Sequence, residues 1–564
     1  MPARPTLNRH LPFLAWPRPD AALLRSEIFA GLSVGLMVIP QGVAYAALAG
    51  MPLITGIYAS LLPALVAVLF SASARLSVGP TALTAMLVSA SLTGLAEPGS
   101  AQWVNLAVWL SLLTGVLQIA LGFARFGWLL NLVSAPVLTA FTQGAAIIIL
   151  ASQCPALLGL TQGWASLADL HSINLPSLAF GMGTLAVLLL AKRLKPTFPT
   201  VLVVVVAAAG LSWALNLQTQ GVAVVGALPQ GLPALVLPQA IDWNVFKQLV
   251  LPTLVITLVS FLETASSAKV DNERKGQRWD QDQDLIGQGL GKLASGLCGA
   301  FPTSSSFSRS ALNLYAGAQT GWATVISVVV ILLALLLFIP VLHHVPQSVL
   351  AAIVVAAVLG LLKPRAFVRL LKIQRVEGIT ALLTLGITLA SAPRLYWGVL
   401  AGVVMGLSHF LHTRLHPRII EVGLHPDGSL RDRHLWKLPP LAPQLYALRM
   451  DAELDFAAAS GFERAITEHL SRHHDVRHVC LFAQPINRID VTGVEAFAQI
   501  HRQLAAQDIT LHISGIKLPV ETTLRRAGEL TEDARLRLYR TDTEALQALR
   551  ELTPLPDDMG AAAI

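Results

Sequence analysis

The chain has 564 residues, 54% of them hydrophobic and only 13% charged, with a mean hydropathy of +0.62. A soluble domain carries roughly 25% charged residues, so a wholly soluble protein is excluded. The formal net charge of +7 does not mark a nucleic-acid binder, because the basic residues fall mostly between apolar runs, where they set membrane orientation.

Taken from the start, residues 1–26 hold Arg4, Arg9, Arg18 and Arg25 around one apolar patch, Leu11 to Trp16. That patch is too short and too Pro-flanked for a removable signal peptide, and it fits a segment lying along a membrane surface. From residue 27 to 412, apolar runs of spanning length recur. They read as spans near 27–48, 55–71, 79–95, 103–122, 127–150, 176–191, 198–215, 248–267, 284–299, 304–318, 321–342, 346–362, 374–391 and 394–412. Basic residues cluster at the N-terminal tail, Arg75, Arg125, Lys192-Arg193-Lys195, the Lys269 to Arg278 loop and the Lys363 to Arg375 loop. Each internal cluster follows an even-numbered span, and Lys247 and Arg394 are the exceptions in the alternate loops. This positive-inside pattern predicts fourteen spans with both termini in the cytoplasm. A re-entrant hairpin at one short segment is the alternative, and it leaves the charge pattern without an explanation.

The third and tenth spans share a design. Gly79-Pro80-Thr81-Ala82-Leu83-Thr84 and the stretch from Phe301 to Ser310 each place a Pro-Thr step before a short, hydroxyl-rich run. Paired interrupted spans in the two halves of a membrane protein point to a transport site. Two short helices starting inside the bilayer aim unpaired N–H groups and positive dipole ends at an anion. Arg309 lies one turn into the second of them, and an intramembrane arginine marks a pathway or an acidic partner. Gln41 and Tyr45 share a helix face in the first span, just after Pro40, which is expected to break or bend that span. Glu263 is the sole charge in an otherwise uncharged stretch, where desolvation favours the neutral acid. It can therefore take a proton on one side of the membrane and release it on the other, with Ser267 one turn on. The rival reading is a fixed carboxylate paired with Lys292 or Arg309. Gly287-Gln288-Gly289-Leu290-Gly291 has no preceding strand and reads as close helix packing, not a phosphate loop.

The remainder has soluble composition. A Pro-rich linker, 413–443, precedes an α/β domain at 444–553 and a tail at 554–564. Tyr446 to Met450, Val479 to Phe482 and Ile509 to Ser514 read as strands. Phe462 to Arg472, Val491 to Ala506 and Thr543 to Leu552 read as helices. Cys154, Cys298 and Cys480 are far apart and imply neither a disulfide framework nor a metal site. His409, His412 and His416 have helical spacing but no third ligand type. No catalytic constellation is present, so neither an enzyme nor a cofactor is expected.

Several stretches are identifiable. Ile39-Pro40-Gln41-Gly42-Val43-Ala44-Tyr45-Ala46, Ala49-Gly50-Met51-Pro52, Gly56-Ile57-Tyr58-Ala59-Ser60, Asp284-Leu285-Ile286-Gly287-Gln288-Gly289 and the Phe301 to Asn313 segment resemble the SulP family of anion transporters. Ile489-Asp490-Val491-Thr492-Gly493-Val494 resembles a STAS domain. The resemblance implies an α-helical polytopic protein with a seven-plus-seven inverted repeat, core and gate subdomains, a homodimer and an elevator-like motion. It places substrate at Ser306 and Ser308, gives Thr81 the matching role, and tips Gln41 and Tyr45 towards the pocket. It makes Glu263 a coupling residue for protons more readily than for sodium, because sodium-coupled relatives carry aspartate there. In phosphoregulated STAS domains the hydroxyl residue before glycine is modified. Here that residue is Thr492, but Val491 replaces their serine, so capping by Asp490 or Thr492 is favoured. The expectation is proton-coupled import of sulfate across a bacterial inner membrane. Bicarbonate, a C4-dicarboxylate, or uncoupled exchange or channel flux are the alternatives.

Overall fold

The computed structural model describes residues 11–160, 164, 173–194, 200–229, 231–276, 278–337, 342–531 and 535–552. The expectations for residues 1–10, Lys195 and the tail at 554–564 lie outside them. The chain divides into two compact units, Met1–Gly406 and Leu407–Ile564.

The first unit is helical. In chain order it contains α1 (Ala21–Leu48), α2 (Ile54–Tyr58), α3 (Leu62–Phe70), β1 (Val78–Gly79), α4 (Ala82–Leu92), α5 (Ala101–Phe123), α6 (Ala135–Leu157), α7 (Leu175–Leu194), α8 (Thr200–Ala214) and α9 (Trp243–Lys275). There follow α10 (Gln281–Leu297), β2 (Ser304–Ser305), α11 (Phe307–Tyr315), α12 (Trp322–Leu337), α13 (Gln347–Leu359), α14 (Pro364–Ile373), α15 (Arg375–Ala390) and α16 (Tyr396–Leu415), the last running into the second unit. Helix occupies every one of the fourteen expected span positions. Five spans among the described residues are long and apolar enough to cross a membrane by length and composition alone. Ile54–Phe70, Ala82–Leu92, Leu175–Ala191, Thr200–Ala214 and Trp322–Leu337 are apolar but shorter.

Three details differ from the sequence reading. Pro40 does not interrupt α1, which continues to Leu48. The basic stretch after Lys269 is not a loop, because α9 runs on to Lys275. The stretch after Lys363 contains α14, which buries none of its residues and carries Arg365, Arg369 and Lys372. Charge marks where a chain leaves lipid; it does not mark where a helix ends.

Close packing of α10 explains its glycines. A Cβ on Gly289 would lie 2.7 Å from the Gly115 carbonyl oxygen of α5, and one on Gly115 would lie 2.8 Å from that of Gly289. A Cβ on Gly287 would meet Ser71 at 2.3 Å, and one on Gly291 would meet Ala67 at 2.9 Å. The glycine run is therefore a packing seam that lets α10 sit between α3 and α5.

The second unit holds a six-stranded sheet of order β4-β3-β5-β6-β7-β8. Its strands are β3 (Ile419–Leu424), β4 (Leu430–Asp432), β5 (Leu445–Met450), β6 (His478–Phe482), β7 (Thr510–Ser514) and β8 (Leu536–Tyr539). The β5 to β8 pairs are parallel, and β3 joins β5 antiparallel. The Pro-rich segment expected to be a linker thus supplies two strands, because Ile420 and Val422 alternate inward and share a core with Ala447 and Phe482. Helices Ala459–Arg472, Val491–Ala506, Leu518–Arg526 and Asp542–Leu552 complete the α/β arrangement. Asp490 caps the second of these, accepting from Gly493 N at 2.8 Å and from Phe456 N at 3.0 Å, while Thr492 is exposed. His512 is fully buried on β7, within 3.1 Å of both His478 Nδ1 and the Tyr539 hydroxyl. Burial, then the neighbouring His478 and Arg537, push its pKa down to about 4.

Candidate functional site

β1 and β2 pair antiparallel, with Val78 opposite Ser305 and Gly79 opposite Ser304. Each strand leads directly into a half-helix, β1 into α4 and β2 into α11. Proline at 80 and 302 prevents helix through the break, and the cross-strand pairing satisfies backbone groups that no water could reach inside a bilayer. The pairing of the two strands brings the two helix starts together.

Arg309 is fully buried in the first turn of α11. Its Nη1 donates to the Pro80 carbonyl at 2.8 Å and its Nε to Ser77 Oγ at 3.3 Å. Its Nη2 has no hydrogen-bond partner and lies 3.3 Å from where a Cβ on Gly79 would stand. The guanidinium of one half-helix is thus anchored to the strand before the other. One N–H edge is left for something not supplied by the described residues, and glycine at 79 leaves that edge open.

Thr81 caps α4, its Oγ1 accepting from Thr84 N at 3.3 Å. The Glu263 carboxyl reaches the same helix start, with Oε2 at 3.1 Å from Thr81 Oγ1 and 3.3 Å from Thr84 Oγ1. Glu263 is partly accessible, whereas Thr81 and Thr84 are buried. Ser267 is buried, and its hydroxyl donates to the Glu263 main-chain carbonyl at 3.3 Å, not to the carboxyl group. Tyr45 is buried within electrostatic reach of both Arg309 and Glu263. Gln41, one turn earlier on α1, is buried with its Oε1 unpartnered. Ser306 and Ser308 are the accessible members, their hydroxyls 3.3 Å apart at the start of α11. The Ser304 hydroxyl ties β2 to α9, donating to the Ser260 carbonyl at 3.1 Å.

Tyr45, Thr81, Glu263 and Arg309 therefore gather around the paired helix starts, with Ser306 and Ser308 at the accessible edge. Neither Lys292 nor Arg309 makes an ion pair with Glu263; Lys292 Nζ donates instead to Gln118 Oε1 at 2.9 Å. Sequence reasoning missed Ser77, Thr84, Ser260 and Gln118. Thr84 stands three residues after a capping threonine, which is a readable signal. Ser77, Ser260 and Gln118 act through tertiary contacts that no local pattern announces.

Two half-helix starts paired across a break, with a buried arginine beside them, are the arrangement that membrane transport proteins use for a binding site. Comparison with known proteins agrees. The Sulfate permease family model matches residues 24–384 and the STAS domain model matches residues 440–545. A protein of Arabidopsis thaliana named "Probable sulfate transporter 4.2" is 32% identical over 536 residues, covering 89% of this chain and 77% of its own. "Probable sulfate transporter MT1781" of Mycobacterium tuberculosis is 30% identical over 537 residues, covering 93% and 95%. The fold is similar to that of the murine Solute Carrier 26 family member A9 anion transporter in its inward-facing state, with a TM-score of 0.85, 20% identity and coverage of 97% and 94%. The chain belongs to the sulfate permease (SulP) family and carries a C-terminal STAS domain.

Proposed function

We propose that this protein is a secondary active transporter of inorganic anions, importing sulfate together with protons by an elevator-like motion. The anion sits between the starts of α4 and α11, contacted by Arg309, Ser306, Ser308 and the Thr81 end of α4, and walled by Gln41 and Tyr45. The observation that carries this reading is the buried, unpartnered Nη2 of Arg309 beside the paired helix starts. A buried guanidinium edge without an acceptor is costly, and an oxyanion is the ligand whose geometry and charge relieve that cost. The curated relatives bearing sulfate transporter names favour sulfate among oxyanions.

Coupling follows from Glu263. Its carboxyl touches the same helix start that the anion uses. An ionised carboxylate there repels an incoming anion, and protonation removes the repulsion. Proton and anion therefore favour each other's binding, which is the thermodynamic condition for symport. Ser267 steadies this turn of α9. We place the protein in a bacterial inner membrane as a homodimer with both termini cytoplasmic. Segment 1–26 is then cytoplasmic, 27–412 transports, 413–418 connects, and the rest, beginning with β3 and β4, is a regulatory STAS domain with Thr492 as its exposed hydroxyl. The tethering of Glu263 by Thr81 and Thr84 supports one second reading, an uncoupled exchanger in which the carboxyl is structural. Isothermal titration of sulfate into purified protein tests the site. Binding by wild type that is lost in Arg309→Ala is the expected result, and equal affinity in both contradicts the assignment.

A further inference from the structure

Lys292 is a cation that anion binding at Arg309 does not by itself require. It is fully buried in α10, seven residues past the Leu285 that packs against Phe261 and Leu262 of α9. Burying an ammonium group is expensive unless its charge is used or compensated. Its Nζ donates to Gln118 Oε1 at 2.9 Å, a neutral acceptor, and makes no contact with a carboxylate among the described residues. The hydrogen-bonded chain goes further. Gln118 Nε2 donates to Ser260 Oγ at 3.1 Å, and Ser304 Oγ donates to the Ser260 carbonyl at 3.1 Å. Ser304 is the β2 residue paired with Gly79, beside the open edge of Arg309. Lys292 also lies within electrostatic reach of Glu263 without touching it. A polar chain therefore connects this lysine to the half-helix crossing, and its field reaches Glu263, whose carboxyl touches the same helix start.

We propose that Lys292 is the second cation of the anion site and sets its preference for divalent over monovalent anions. It acts through the Gln118–Ser260–Ser304 chain and through space, as a specificity-determining residue that does not touch the anion. The inference rests on the anion-transport reading above and deepens it. Arg309 alone balances a monoanion. With Glu263 protonated, Arg309 and Lys292 together balance a dianion, so the loaded site is neutral when it holds sulfate and one proton. A loaded site without net charge is the one that crosses an apolar gate at least cost.

A remote charge leaves a quantitative signature. Coulomb interaction scales with the product of charges, so removing one remote positive charge weakens a dianion by the square of the factor it costs a monoanion. The test is isothermal titration of sodium sulfate and sodium nitrate into the full-length detergent-solubilised protein at constant ionic strength. Lys292→Gln is expected to weaken sulfate at least about tenfold more than nitrate. Gln118→Glu keeps the lysine and the packing volume but neutralises the charge in place, and it is expected to shift the sulfate-to-nitrate ratio in the same direction. This second variant decides the matter if the first does not fold. Equal weakening of both anions in either folded variant, or no change in the ratio, overturns the proposal and leaves Lys292 a structural tie. Wild-type protein that binds neither anion overturns instead the anion-transport reading beneath it.

Discussion

Arg309 shows how a single side chain can be half committed to the fold. Two of its nitrogens are spent on Ser77 and the Pro80 carbonyl, which fixes the guanidinium plane, and the third faces the crossing point. Arg309→Lys keeps charge but cannot hold both anchors and the anion at once. It is expected to lower sulfate affinity by at least about tenfold, a loss of roughly 1.4 kcal/mol, read by the same titration. At the other end of the chain, His512 ties stability to pH. Its folded pKa of about 4 lies below its ordinary value, so the unfolded state binds the extra proton first. Its contribution is fully present above pH ~6.5 and is lost as pH falls towards 4. His512→Phe should flatten the fall in melting temperature of the STAS domain between those pH values. An unchanged slope would show that other groups set it. Arg309 was legible in the sequence because an arginine in an apolar segment stands out. His512 was not, since a histidine in a strand carries no sign of its burial.

At the scale of elements, the half-helix pair was readable from the Pro-Thr echo, because proline and small hydroxyl residues leave a composition signature wherever a helix begins. Their antiparallel pairing through Val78–Gly79 and Ser304–Ser305 was not, since two-residue strands are fixed by tertiary contact. The strands at 419–424 and 430–432 were missed for a related reason. Prolines and charges on an edge read as a linker, yet alternate inward residues suffice for pairing. The glycine seam was legible in kind, though its partner helix was not. Gly289→Ala puts a methyl 2.7 Å from the Gly115 carbonyl oxygen, so α10 must move off α5. Overpacking of this sort costs about 1–3 kcal/mol. A lowered melting temperature in detergent is the expected result, and wild-type melting would show that the seam is looser than its geometry.

For the whole molecule, the two compact units give truncation a defined place. A cut near residue 440 would leave β3 and β4 without β5, exposing unpaired strand edges. A cut after His416 removes the whole sheet and is expected to give a monodisperse membrane unit, whereas the 440 cut is expected to aggregate; size-exclusion chromatography distinguishes them. The division into membrane and soluble parts was readable from hydropathy alone, and the orientation expectation came from loop charge. Substrate identity is written in a few buried contacts, and these depend on which distant side chains meet.

In the proposed mechanism Glu263 links proton entry to anion uptake at the half-helix crossing. This link is tested most directly by radiolabelled sulfate uptake into proteoliposomes, with and without an inward proton gradient, for wild type and Glu263→Gln. Wild type is expected to accumulate sulfate under the gradient, and the variant to exchange sulfate across the membrane without concentrating it. Accumulation indifferent to the gradient, or preserved in Glu263→Gln, would contradict the link.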